Sequence, residues 1–372
     1  MVVNVEHRTA RIAQRPEPHR PRGSEVLLRP IEVGICGTDR EIFGFAHGAP
    51  PPGSSELVLG HEAVAEIVET GPDATWARAN HLVVPMVRRP CPDPRCAACR
   101  AGRPEYCATG EFSERGIVHA DGFMTECVLE DERYLVSVPR VLEDVAVLIE
   151  PLSVVAKAAE ELAAIHARFG FDLPRRRALV LGAGPVGLLA AMTLRAADVD
   201  TYVFSREAED SPRAELIRSL GATYLSAAHT PIERLSERIG AVDDVFEAVG
   251  VAEVAFGALP ALAANGAMVM TGIPEPRGAV PAELGRWMRD LVLKNQVLLG
   301  TVNAGRAAFE SAIHRLERFM ILFPDAVRSL LARSPLEQAP DVLVRARGIK
   351  DAIAIGRGQA ARGGASTGTG GS

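Results

Sequence analysis

Ala178-Leu179-Val180-Leu181-Gly182-Ala183-Gly184-Pro185-Val186-Gly187 is the stretch that decides the fold of this chain. Four apolar residues read as a buried strand. The pattern G-x-G-x-x-G follows at once and leads into an apolar, helix-like run, Val186–Ala197. Alone, such a glycine string says little. Between a strand and a helix it reads as the phosphate turn of a dinucleotide-binding βαβ unit. The first glycine allows the tight turn, the second admits a pyrophosphate to the backbone, and the third lets helix pack on strand. The helix start then offers unpaired N–H groups to phosphate. Gly182, Gly184, Pro185, Val186 and Gly187 therefore form the candidate cofactor turn.

Toward the C-terminus the alternation continues. Asp200–Ser205 reads as a second strand, and Ser211-Pro212 offers an N-cap and a first-turn proline for a helix reaching Leu220,. Val242–Ala248, Ala267–Gly272 and Val297–Val302 read as further strands, with helices over Ala252–Leu262 and Ala282–Leu293. Apolar strands alternating with helices predict an α/β fold, a Rossmann doubly wound parallel sheet covered on both faces. The end of the second strand bears on the cofactor. An acidic residue there binds the ribose 2′-hydroxyl of NAD. This chain has Ser205-Arg206-Glu207, and a guanidinium beside a hydroxyl suits a 2′-phosphate. NADP is expected over NAD, with Arg206 as the determinant and Ser205 assisting. Glu207 reaches the ribose instead if the register is two residues off.

On the N-terminal side, Glu25 to Gly71 alternates in the manner of strands broken by Gly and Pro,. Phe123–Leu129 and Tyr134–Val138 read as short strands, and Leu142–Arg168 has helical periodicity,. Between them, Pro85 to Glu114 is rich in Pro, Gly, Arg and Cys and reads as a loop stapled by metal. Its cysteines are spaced Cys91-x4-Cys96-x2-Cys99-x7-Cys107. In a reducing compartment such a cluster points to metal before disulfides. A net charge of -6 and a pI near 5.9 argue against a nucleic-acid surface,. No apolar run approaches the ~18–20 residues that span a bilayer. The start, Met1 to Arg8, carries no charged-then-apolar leader, so a cytoplasmic protein is expected,. The Gly/Ala/Ser/Thr-rich stretch 358–372 has little to bury and is expected to be disordered,.

Cys36-Gly37-Thr38-Asp39, Gly60-His61-Glu62 and Glu150-Pro151 form a second constellation. Thiolate, imidazole and carboxylate are the ligand types of catalytic zinc. Lying far apart in sequence, they prove nothing by spacing; a lone Cys or His in a β-rich region is more often structural.

In order, Gly34-Ile35-Cys36-Gly37-Thr38-Asp39, Gly60-His61-Glu62, the cysteine cluster, Glu150-Pro151 and Gly182–Gly187 resemble the zinc-containing medium-chain dehydrogenase/reductase superfamily over nearly the whole chain. Shorter strings are similar to its glucose 1-dehydrogenase (aldose dehydrogenase) branch: Cys36–Ile42, Leu57–Glu62, Thr109–Phe112, Asp121–Met124, Gly300–Asn303, Pro335–Pro340 and Gly348–Lys350. The resemblance implies a GroES-like β-rich catalytic domain, residues 1–155 completed by 305–357, around a Rossmann domain of residues 156–304. It implies Cys36 and His61 as direct zinc ligands. Glu62 and Glu150 would be a direct and an exchanging ligand, in an order left open. Thr38 would relay the substrate proton; Glu41 stands where alcohol dehydrogenases often place a histidine. Glu114 and Asn303 would meet sugar hydroxyls, with His119 a weaker candidate. Cys91, Cys96, Cys99 and Cys107 would hold a structural zinc, although the superfamily's usual first gap is two residues shorter.

The implied reaction is zinc-assisted hydride transfer from an aldose C1 hydroxyl to NADP, giving a lactone. The same chemistry on a polyol, cyclitol or secondary alcohol stays open, and so does a dinucleotide-binding protein without activity. A homodimer or homotetramer is implied, with the sheet edge near Val297–Val302 contributing. The expected partner is a small molecule, neither nucleic acid nor membrane.

Overall fold

The computed structural model describes residues 1–170, 176–274 and 282–356. The stretch 358–372 lies outside the described residues. Two large sheets organise the chain. One is six-stranded and wholly parallel, in the order Thr223–Ser226, Asp200–Ser205, Arg177–Leu181, Val242–Glu247, Leu262–Met270, Val297–Gly300. Its winding reverses between Arg177–Leu181 and Val242–Glu247. In open parallel sheets the crevice at such a reversal, beyond the carboxyl ends of the strands, is where dinucleotides bind. Leu179, Val180, Leu181, Val203, Val245 and Val269 are fully excluded from solvent, as a sheet covered on both faces demands,.

Several elements differ from the sequence reading. The strand expected over Phe123–Leu129 forms only at Val128–Asp131, the helix expected over Leu142–Arg168 is 3-10 up to Leu148, and the edge strand Thr223–Ser226 has no counterpart in that reading. The helix expected over Ala252–Leu262 stops at Gly257, a 3-10 turn covers Leu259–Ala261, and the strand begins at Leu262 rather than Ala267. Pro260 cannot donate to a helical ladder, which ends the helix early. The strand's start is then disguised by a register shift, Leu262 pairing with Val242 and Ala267 with Asp244, with Asn265 at φ 64 in between. A bulge of this kind destroys the alternation that marks a strand in sequence.

The other sheet is seven-stranded. Leu135–Ser137, Leu82–Pro85, Glu62–Thr70, Glu25–Gly34, Lys350–Ala354 and Leu331–Pro335 run in that order, and Val128–Asp131 also pairs with Glu25–Gly34. The last two strands come from the C-terminal part of the chain, so the chain returns to its N-terminal sheet after completing the parallel one. Glu25–Gly34 alternates half-buried and buried residues, with Val26, Leu28 and Val33 inward. At its end Gly34 pairs with Glu62 on one side and Ala352 on the other. That register brings three distant segments together two residues before Cys36.

A shared core joins the sheets. Ile149–Ala167 buries Ile149, Leu152, Val155 and Ala156, and Arg306–Leu322 buries Phe309, Ile313 and Leu316 in the same cluster. Truncating a residue such as Phe309 to Ala would cost about 3–5 kcal/mol. No helix among the described residues is long and apolar enough to cross a membrane.

Candidate active site

Cys36 precedes the short helix Gly37–Phe43 and acts as its N-cap residue. Asp39, fully buried in the first turn, accepts from the Cys36 amide at 2.8 Å through Oδ2. Its other oxygen accepts from the Gly60 amide at 3.2 Å and lies 3.5 Å from His61 Nδ1. One carboxylate thus ties together the segments carrying Cys36 and His61. Ligand atoms of Cys36, His61 and Glu62 all lie within 4.8 Å of one another. Glu150, in the first turn of Ile149–Ala167, is buried beside this group but outside that triplet. Thr38 is half-buried in the first turn of the same short helix.

The charges here are strongly coupled. Burial and the neighbouring Glu62 push the Glu150 carboxyl up to about 7. Burial pulls the His61 imidazole down, but Asp39 and Cys36 outweigh it and hold it well above its ordinary value. Burial likewise raises Asp39, and facing His61, the Cys36 amide and Lys350 more than reverse this. Lys350, buried in the strand Lys350–Ala354, is ion-paired with Glu62 and donates to Ile35 O at 3.0 Å. His61 Nδ1 and Glu62 Oε2 are both buried, the first facing Asp39 Oδ1 at 3.5 Å and the second facing Lys350 Nζ. A thiol, an imidazole and a carboxylate converging within 4.8 Å are the donor set of a divalent ion of the zinc type,.

The glycine turn is built as its sequence requires. Gly182 has φ 107, a conformation that disfavours side chains, and a Cβ on Gly187 would overlap Gly182 O,. Gly184 has nothing within 4 Å of its missing Cβ, so the turn stays open above it. Pro185 and Val186 begin the helix Pro185–Ala196. A cavity of about 440 Å³ lies in front, lined by Gly182, Gly184, Ser205, Arg206, Glu207 and Arg213. Ser205 Oγ is partly engaged, accepting from the Glu207 amide at 3.2 Å and lying 3.1 Å from the Tyr224 hydroxyl. Arg206 is exposed and has no ion partner among the described residues. Glu207 pairs with Arg213 at 3.0 Å.

Glu114 and Asn303, far apart in sequence, are brought together: Asn303 Nδ2 donates to Glu114 Oε1 at 2.7 Å. His119 pairs with Glu114 across two short strands, but its ring is exposed and faces Pro50 O at 3.4 Å. The four cysteines Cys91, Cys96, Cys99 and Cys107 also converge, their sulfurs within 4.8 Å of one another, and all are free thiols. The two extra residues in the first gap are absorbed by the loop around Pro92 and Pro94, a change of small entropic consequence.

Comparison with known proteins places this geometry. Residues 22–140 match the family model for the alcohol dehydrogenase GroES-like domain, and residues 143–348 match that for the glucose dehydrogenase C-terminus. The chain belongs to the medium-chain dehydrogenase/reductase superfamily, in its glucose dehydrogenase branch. Glucose 1-dehydrogenase of Methanocella arvoryzae is 38% identical over 314 residues, 84% of this chain and 87% of the relative. The Thermoproteus tenax glucose 1-dehydrogenase is 42% identical over 310 residues, 82% and 84% of the two chains. Among solved structures, Haloferax mediterranei glucose dehydrogenase in complex with NADP, Zn and gluconolactone superposes with a TM-score of 0.86 at 32% identity, covering 95% of this chain and 98% of that one.

In this member of the glucose dehydrogenase branch, three residues of the site went unnoticed in sequence. Asp39 was visible as part of a motif, but its bracing of two segments needs the fold. Lys350 carried a signal, because a lysine just ahead of the apolar run Ala352 to Ile355 is seldom buried without a partner,. Arg213 lies inside the helix that starts at Pro212 and has no signal of its own in sequence; the fold places it with Arg206 on the cavity wall.

Proposed function

We propose that this chain is a zinc- and NADP-dependent dehydrogenase that oxidises the anomeric hydroxyl of a glucose-like aldose to a lactone. The observation that carries the reading is the convergence of Cys36, His61 and Glu62 within 4.8 Å in a chain whose other sheet presents a phosphate turn. The Haloferax neighbour, holding NADP, Zn and gluconolactone, supports it.

When bound, zinc supplies Lewis-acid polarisation of the sugar oxygen and NADP supplies the hydride acceptor. Cys36 and His61 would be metal ligands, with Glu62 or Glu150 completing the set. Asp39 fixes the His61 ring through Nδ1, leaving Nε2 for the metal, the usual role of a carboxylate behind a ligating histidine. Lys350 neutralises Glu62 when that carboxylate is not ligating. Thr38 takes the hydroxyl proton at its Oγ1 and passes it outward. Glu114 and Asn303 orient the sugar, while the start of Pro185–Ala196 receives the pyrophosphate. Arg206, with Ser205 assisting, reads the 2′-phosphate. Cys91, Cys96, Cys99 and Cys107 would hold a second, structural zinc in a closed tetrahedral set.

We also read residues 1–155 with 305–357 as the catalytic unit and 156–304 as the nucleotide unit. Copies pair through the edge strand Val297–Gly300, beside which Leu284, Met288 and Val292 are exposed on one helix. An unpaired edge next to an apolar face is a template for a second chain.

The test is a panel of aldoses, polyols and simple alcohols with NADP and NAD on metal-replete protein, alongside sedimentation analysis. Aldose oxidation with NADP, lost on chelation, is expected. Turnover of polyols or secondary alcohols alone would move the substrate, and NADP binding without turnover of anything would remove the activity.

A further inference from the structure

Arg88 stands on the short strand Arg88–Arg89, with Glu114 as its register partner across the pair. An arginine side chain with 8% exposure is rare unless paired,. Nε donates to Glu114 Oε1 at 2.9 Å, and Nη2 lies 2.9 Å from the same oxygen. Nη1 donates to the backbone oxygen of Glu105 at 3.3 Å, and the guanidinium lies 3.7 Å over the Phe112 ring. Its plane is thus fixed by a carboxylate, a carbonyl and an aromatic face.

The consequence falls on Glu114. Asn303 Nδ2 adds a third donor to the same Oε1. Oε2 has no donor among the described residues, and the side chain keeps 12% of its exposure. An ionised carboxylate can only accept hydrogen bonds. One oxygen is therefore committed to the protein and the other is presented outward. Asn303 Oδ1 is taken by the Ala304 amide at 2.9 Å, which leaves a second Nδ2 hydrogen as the remaining function of that amide. The strand is also pinned next to the metal-ligating segment: a Cβ at Gly116 would lie 2.6 Å from Gly60 O, and Gly60 precedes His61.

We propose that Arg88 is a positioning residue that sets sugar specificity. It holds Glu114 so that Oε2 accepts from one substrate hydroxyl while Asn303 donates to a neighbouring one. The substrate must then present a free hydroxyl pair at this point, and a sugar lacking the donor hydroxyl leaves a buried acceptor unsatisfied. The inference rests on the aldose reading given above.

The experiment compares wild type, Arg88→Met, Arg88→Lys, Glu114→Gln and the double variant Arg88→Met/Glu114→Gln. Each is assayed with glucose and with the 2-, 3-, 4- and 6-deoxyglucoses at saturating NADP. NADP affinity and the unfolding midpoint are followed in parallel. Arg88→Met should raise KM for glucose about 10- to 100-fold, the worth of a charge-assisted bond, with kcat within about threefold. NADP affinity should not move. The deoxy sugar that wild type rejects should become as good as glucose for Arg88→Met, and Arg88→Lys should restore part of the discrimination. The double variant should be no worse than Glu114→Gln. A wild-type KM in Arg88→Met, or an equal loss on every sugar, overturns the role of Arg88. If Arg88→Met does not fold, Arg88→Lys with unchanged sugar discrimination overturns it equally. Failure of wild type to oxidise any aldose sinks the reaction assignment itself and is seen before a variant is compared.

Discussion

Asn303 Nδ2 donates to Glu114 Oε1 at 2.7 Å, joining the segment after the last strand of the parallel sheet to a short strand 189 residues earlier. The contact bridges the parallel sheet and the part of the chain that carries Cys36 and His61. Asn303 sits at φ 59, which Asn and Asp tolerate better than most residues,. Asn303→Asp should therefore keep the backbone and replace the donor by a second negative charge. kcat/KM for sugar is expected to fall about 10- to 100-fold with NADP affinity unchanged. Initial rates against sugar concentration decide it; a neutral result would show that the pair has no part in substrate binding.

Within the proposed metal group, ligands and their supports can be told apart by substitution. Residues behind a metal ligand are typically worth about 10- to 100-fold in metal affinity or activity. Asp39→Asn should fall in that range, because it loosens both the Cys36 amide and the His61 ring. Cys36→Ser should fall further, with zinc content reduced and NADP binding retained. Metal analysis beside cofactor titration checks this, and unchanged turnover in Cys36→Ser would remove the thiolate from the chemistry.

Arg213 pairs with Glu207 at the cavity wall that also carries Arg206. Both cations can meet a 2′-phosphate there, and each charge-assisted bond lost is worth about 1.5–3 kcal/mol. Arg206→Ala and Arg213→Ala should each raise KM for NADP by about tenfold or more and leave KM for NAD unchanged. Equal effects on both cofactors would mean the guanidinium groups touch the shared part of the dinucleotide.

Glu132 offers a test of stability against pH. Its carboxylate accepts from Thr75 N and Oγ1 at 2.7 Å each, Trp76 N at 3.2 Å and Ala77 N at 3.1 Å. Burial raises it, but these bonds outweigh burial and hold it below the usual carboxylate range. A depressed folded-state value means its contribution is complete above ~4.3, the ordinary glutamate value, and is lost as pH falls through the folded value. Glu132→Gln should cost about 1–3 kcal/mol at neutral pH, by leaving amides without an acceptor. The gap in unfolding midpoint between wild type and variant should close in acid; a gap independent of pH would exclude the charge as its source.

The amino-acid sequence by itself determined the parallel sheet, short of its edge strand Thr223–Ser226, and its phosphate turn. Strand, glycine spacing and helix are neighbours along the chain, so local sterics and periodicity suffice to define them. It also supplied the ligand types at Cys36, His61, Glu62 and Glu150, and the widened cysteine cluster. It misplaced the strand Leu262–Met270, because a bulge at Asn265 breaks the alternation on which such a reading depends. Only the tertiary structure decided which of these residues meet. The register of Gly34 against Glu62 and Ala352 draws Cys36, Glu62 and Lys350 to one point. Arg88, Glu114 and Asn303 likewise become one device only when the chain returns from the parallel sheet. Long-range pairing of buried charges leaves no periodic trace in sequence, because its partners are fixed by sheet register rather than by distance along the chain.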